Sequence, residues 1–188
     1  MGRYKIIYAD PPWQYSDKGC NGNAEKHYST MKLADIKSLP VASIADRDAV
    51  LMLWVTWPML QEGLDLIKSW GFVYKSIGFL WVKKNRSSDG YFFGLGRWTR
   101  GNSEMCLLAT KGKPKRFGNA VSQLVIEPLT RHSAKPGIVR EKIVALLGDV
   151  PRIELFARNH VDGWDVFGNQ VENSVRLPEE WESDPMLR

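Results

Sequence analysis

Several things are scarce in this sequence, and each scarcity removes a class of protein. Its 188 residues hold only two cysteines, Cys20 and Cys106. Two thiols neither complete a four-ligand zinc site nor frame a disulfide scaffold. Histidine is as rare: His27, His132 and His160 are scattered, so no metal is expected. Long apolar runs are missing, since the longest, Ala49 to Val55, has seven residues, against the roughly 20 that span a bilayer. The N-terminus lacks the apolar stretch of a secretory signal, and Ile6 stands where a myristoylation signal wants Ser or Thr. There is no Walker A motif and no nucleophile elbow. Phe93-Gly94-Leu95-Gly96 lacks the third glycine of a dinucleotide fingerprint and reads as a flexible loop tip. A soluble, intracellular globular domain is the expectation that survives.

Charge is present, and its placement matters more than its net value of +5. Residues 1–74 balance at 8 basic and 8 acidic side chains, and residues 117–171 at 6 and 6. Residues 75–116 hold 10 basic against 2 acidic, and residues 172–188 hold 2 against 5. The positive excess therefore falls in one stretch, interleaved with Trp81, Tyr91, Phe92, Phe93 and Trp98. Cations interleaved with stackable rings suit a nucleic acid. A solvated basic face over core aromatics fits the same composition.

The pattern of apolar residues predicts an α/β chain. Strands are expected at Tyr4 to Ala9, Ala49 to Val55, Phe72 to Lys83, Glu104 to Thr110, Gln123 to Ile126, Ile153 to Ala157 and Trp164 to Phe167. Helices are expected at Leu33 to Leu39, Pro58 to Trp70 and Pro136 to Leu147. Such alternation packs helices against a sheet, with ligands outside the C-terminal ends of its strands. Loops are read at about 14–31 and 85–102. Residues 1–171 form the expected catalytic domain and 172–188 an acidic tail.

The sharpest motif is Asp10-Pro11-Pro12-Trp13, placed by its prolines at the end of the first strand. Asp10 can accept a hydrogen bond from an exocyclic amine. Pro12 stiffens the backbone so that the Pro11 carbonyl can be aimed at the same amine, and Trp13 offers a flat face. Two acceptors on one amine would draw its lone pair out of ring conjugation. A second polar group, Arg158-Asn159-His160, follows a strand, and Gly168-Asn169-Gln170 closes the region. Such groups at a strand edge suit a ribose or an amino acid.

Together with His27 to Met31, Leu53 to Thr56, Leu80 to Lys83, Gly101 to Leu107, His132 to Pro136 and Ile153 to Arg158, these motifs resemble the DPPW-type N6-adenine methyltransferases. That family includes the seventy-kilodalton catalytic subunit acting on messenger RNA. The resemblance runs from Tyr4 to about Val171. It implies a Rossmann-like sheet with helices on both faces, S-adenosylmethionine as donor, and a catalytic motif ahead of the donor motifs. Carried onto this sequence, Asp10 and the Pro11 carbonyl would hold adenine N6, while Pro12 and Trp13 shape its pocket. Tyr28 and Glu104 would line the acceptor site. Lys135 would face the donor's carboxylate, Arg158, Asn169 and Gln170 its ribose, and Asn159 and His160 lie in the donor-binding turn. Lys84, Arg97 and Arg100, with the rest of the basic block, would contact phosphates. The family's acidic segment upstream of the first strand has no counterpart in Met1 to Arg3, so the expectation is an adenine slot built differently or a weaker donor affinity.

The resulting expectation is a bacterial or phage enzyme of the cytoplasm, methylating N6 of adenine in DNA with low or very short sequence specificity. RNA methylation is the first alternative, and a non-catalytic nucleic-acid-binding subunit the second. No membrane partner is expected; a homodimer or a partner subunit stays open.

Overall fold

The computed structural model describes residues 3–14, 30–96, 98–130 and 134–175. Seven strands form one sheet: β1 (Tyr4–Ala9), β2 (Ala45–Val55), β3 (Val73–Lys84), β4 (Ser103–Lys111), β5 (Leu124–Pro128), β6 (Arg152–Leu155) and β7 (Asp165–Phe167). Four α-helices accompany them: α1 (Leu33–Ser38), α2 (Val41–Ile44), α3 (Leu60–Ser69) and α4 (Ile138–Leu147). The strand order is β5-β3-β4-β2-β1-β6-β7. β1 pairs in parallel with β2 and β6, β6 with β7, and β3 with β5. β4 is antiparallel to both β2 and β3. Six strands therefore end on one edge of the sheet, and at that edge β4 begins.

Alternation along the central strands builds two cores, because successive side chains point to opposite faces. Ile7, Ala9, Leu51, Leu53 and Val55 join one cluster with Ile36 of α1, Val41 and Ile44 of α2, and Leu66 and Ile67 of α3. Ile6, Tyr8, Val50, Met52 and Trp54 join the other, with Val139 and Ile143 of α4. The expected Rossmann-like α/β sheet with helices on both faces is what forms. Gly63 lets α3 approach β2 closely: a Cβ there would lie 2.5 Å from Val55 Cγ1. No helix among the described residues is long and apolar enough to cross a membrane.

Some boundaries differ from the sequence reading. β2 begins four residues earlier than expected, because Ala45 pairs with Tyr4 ahead of the polar Asp46, Arg47 and Asp48. The helix expected from Pro58 starts as a 3-10 turn, Trp57–Met59, before α3 proper. The short α2 was unforeseen; its Pro40 N-cap and four-residue length give little periodicity to read. Residues 173–175 are fastened rather than free. Asn173 Oδ1 accepts from the Gly168 N–H at 2.8 Å, Ser174 Oγ accepts from the Val166 N–H at 2.7 Å, and Val175 packs on the core. The remainder of the acidic tail lies outside the described residues.

Candidate active site

The edge where six strands end collects the chemistry. Asp10 follows β1, Lys83 closes β3, and Glu104 opens β4 beside Trp81. Lys135 precedes α4, Arg158 follows β6, and Asn169 and Gln170 follow β7. Glu104 can join this group only because β4 runs against its neighbours.

At the centre is an alternating chain of charges. The Lys135 ammonium donates to Asp10 Oδ2 at 2.7 Å and lies 3.3 Å from Glu104 Oε2. Lys83 donates to the other Glu104 oxygen, Oε1. All four are largely enclosed, with Lys135 the deepest at 8% side-chain exposure and Asp10 the most open at 21%. Burial works against the Lys135 charge, but Asp10 and Glu104 hold its pKa well above the ordinary lysine value. Burial pushes Glu104 up, yet Lys135 and Lys83 outweigh it and hold its carboxyl below the usual range. Asp10 goes the other way. Burial raises it, its share of Lys135 pulls down less, Glu104 adds to the rise, and Arg158 opposes it. The asymmetry has a simple origin: Glu104 has two ammonium partners, whereas Asp10 divides one with Glu104. A carboxylate held above its ordinary value is a stronger hydrogen-bond acceptor.

The floor of the site is aromatic. Lys135 Nζ lies 5.6 Å from the centre of the Trp54 ring, a cation–π distance. Trp54 Nε1 donates to the Tyr8 hydroxyl at 2.6 Å, and Trp13 Nε1 donates to the Trp54 carbonyl at 3.2 Å. Trp13 itself is 5% exposed and part of the core. The flat face expected of it is therefore not presented for a base; it fixes Trp54 from within. The Pro11 carbonyl accepts from the Trp13 N–H at 2.9 Å, leaving its second lone pair for another donor. The Pro12 carbonyl is taken by the Met31 N–H at 2.8 Å, tying the motif to the far end of the 14–31 loop. Behind the site, Arg140 of α4 makes a bidentate pair with Glu154 of β6, both bonds 2.6 Å.

The remaining candidates divide. Asn159, His160, Asn169 and Gln170 are exposed, and Arg158 is half-buried. Tyr28, Arg97, His27, His132 and Cys20 lie outside the described residues. The basic block from 75 to 116 does not form one patch, which corrects the sequence reading. Lys83, Lys84, Arg86 and Arg100 belong to the catalytic edge, where Arg86 Nε reaches the Leu129 carbonyl after β5. Lys111 and Lys113 follow β4 to the opposite edge, held near Ala42 and Asp48. A hairpin reverses the chain between β3 and β4, so neighbours in sequence part in space. Sequence reasoning gave Lys83 only a phosphate contact within the basic block and Trp54 no role of its own, because pattern alone does not reveal that β4 is reversed and brings Glu104 to Lys83.

The same ordered motifs decide the ancestry, for the sequence profile of the MT-A70 family matches residues 4–170. The chain belongs to the MT-A70 family. Type II methyltransferase M.MunI of Mycoplasma sp is 34% identical, over 97% of this chain and 84% of that protein. N(6)-adenosine-methyltransferase MT-A70-like of Arabidopsis thaliana is 30% identical, over 94% of this chain and 25% of that one. The human N(6)-adenosine-methyltransferase catalytic subunit METTL3 is 28% identical, over 92% and 29%. The chain thus spans about a quarter of the plant and human relatives it matches.

Proposed function

We propose that this chain transfers a methyl group from S-adenosylmethionine to N6 of adenine in DNA. The observation that carries the proposal is the buried Asp10 carboxylate at the end of β1, held by Lys135 at 2.7 Å; in this reading the Pro11 carbonyl is the second acceptor. S-adenosylmethionine, when bound, would supply a methyl carbon made electrophilic by its sulfonium. The side chains at the edge fit that donor. Lys135 and Arg158 offer cations for an amino-acid carboxylate, and Asn169 and Gln170 offer exposed amides for ribose hydroxyls, with Asn159 and His160 on the adjoining turn. Lys84, Arg97 and Arg100 supply phosphate contacts in this reading, and Tyr28 lines the acceptor pocket.

Lys135 holds Asp10 Oδ2, so an entering amine is accepted at Asp10 Oδ1 or displaces that hydrogen bond. Glu104 keeps the ammonium in place when it yields. Asp10 and the Pro11 carbonyl then accept the two N–H bonds of the amine, drawing its lone pair out of the ring. With the donor bound, the nitrogen would take the methyl group while the electron pair of the carbon–sulfur bond would leave with sulfur. The new ammonium is acidic, and in this reading the Asp10 carboxylate takes its proton. Positioning and aimed acceptors supply the rate enhancement, with no strong base needed beforehand. In a duplex the amine is reached only after the base leaves the stack.

DNA is preferred to RNA because the match to M.MunI, a type II methyltransferase, runs over 84% of that protein. The test is incubation with labelled donor and either DNA or RNA, followed by nucleoside analysis. Label in N6-methyldeoxyadenosine supports the proposal; label only in the ribonucleoside moves the substrate to RNA. Label in neither, with no donor binding but with nucleic acid bound, leaves a non-catalytic nucleic-acid-binding subunit.

A further inference from the structure

The hairpin joining β3 and β4 leaves the sheet at the catalytic edge, directly beyond Lys83 and before Glu104. It is a built structure. The Asn85 N–H donates to the Gly90 carbonyl at 3.1 Å, and Lys84 and Tyr91 form an antiparallel bridge. The Phe92 N–H returns to the Lys83 carbonyl at 2.8 Å, and the Gly94 N–H to that of Gly101 at 2.8 Å. A Cβ on Gly94 would collide with the Gly101 carbonyl, and one on Gly96 with that of Thr99. The chain folds this tightly only with glycine at those two places.

That closed loop faces its apolar side chains outward. Tyr91 is 49% exposed, Phe93 72%, Leu95 68% and Trp98 99%. Isolated apolar side chains on a surface are ordinary, but four within eight residues beside a reactive edge call for a partner. Residues 85–102 hold three basic side chains and one acidic one, so the loop carries cations among its rings. Charge complementarity therefore points to a polyanion with stacked bases.

We infer that this hairpin is a wedge that enters duplex DNA beside the target adenine, its Phe93, Leu95 and Trp98 filling the space that the extruded base vacates. The inference rests on the methyltransferase reading and extends it to how the duplex is opened. Extruding a base costs unstacking and unpairing, least where the pair is already broken, and an inserted apolar side chain offsets that cost. The rings therefore matter for paired adenine and little for unpaired adenine.

The experiment compares kcat/KM of the full chain and of Trp98→Ala and Phe93→Ala on three DNA substrates. These are a duplex, the same duplex with an abasic site opposite the target, and the single strand. The expected result is a loss of about 10-fold or more on the intact duplex, with the abasic duplex and the single strand within about twofold. Trp98→Phe should restore most of the duplex activity. Equal losses on all three substrates would make the rings general strand contacts, and no loss on any would remove them from the reaction; either overturns the wedge. A wild-type dimer that Trp98→Ala splits into monomers would give the patch to a second copy, also overturning it. Wild-type protein that methylates neither duplex nor single strand defeats the methyltransferase reading itself, an outcome distinct from loss of the wedge.

Discussion

In the proposed reaction Asp10 carries the heaviest chemical load for its size. Asp10→Asn keeps the shape but loses the charge that, in that proposal, accepts and then takes the proton. Methyl transfer should fall by about 100-fold or more, the range seen when one aimed electrostatic partner is lost. Donor affinity measured by calorimetry should stay within a few-fold; a variant retaining over about a tenth of the activity would refute the role. Lys135→Ala should weaken donor binding about 10-fold, the worth of one charge-assisted hydrogen bond. Unchanged affinity would leave Lys135 serving only Asp10 and Glu104. Glu104 makes a pH-dependent contribution. Its carboxyl lies below the ordinary range in the folded chain. It therefore stabilises the fold fully above its unfolded value of 4.5, and that contribution is lost as pH falls through the lowered one. Urea denaturation of wild type and Glu104→Gln should show a gap that is widest near neutral pH and closes in acid; a constant gap would sink this account. Asp10 was legible in the sequence because two prolines mark the strand end. Its partnership with Lys135, 125 residues away, was not. Only folding brings β1 and the start of α4 together.

The elements were mostly legible and their directions were not. β2 and the core of α3 announce themselves by unbroken or periodic apolar residues, whereas nothing in Ser103 to Lys111 tells that β4 is reversed. The clue was the lack of a helix between β3 and β4, since antiparallel neighbours can be joined by a hairpin and parallel ones cannot. One helix–strand joint makes a sharp prediction. Glu154 on β6 is 7% exposed and balanced by Arg140 of α4. Arg140→Met should cost about 3–5 kcal/mol by stranding a buried carboxylate, and adding Glu154→Met should recover most of it. Chemical denaturation of the single and double variants checks this, and additive losses would show the pair to be independent. Gly63 is a second joint: Gly63→Val would force α3 away from Val55 and should lower stability by about 1–3 kcal/mol.

At the scale of the whole molecule, charge is divided between two ends of one sheet. Lys84, Arg86 and Arg100 belong to the reactive edge and Lys113 to the opposite one. Binding to random-sequence duplex DNA should weaken with salt, and Lys84→Ala or Arg100→Ala should reduce the slope by about 1 each, without altering sequence preference. Lys113→Ala should leave the slope unchanged. Equal effects from both edges would mean that DNA wraps the molecule rather than meeting one side. Composition revealed the cationic excess but not this division.

The place of β1 has a consequence for synthesis. It precedes the other strands of its sheet in the sequence, yet it lies between β2 and β6, and its partner Arg152 is made more than 140 residues after Ile6. Such distant pairing slows folding. A nascent chain must therefore carry β1 with one hydrogen-bonding edge open until β6 emerges, and it depends on delayed closure or on a chaperone to cover that edge. Chains ended before residue 150 should leave the β1 amides that face β6 open to hydrogen exchange, while the full chain protects them.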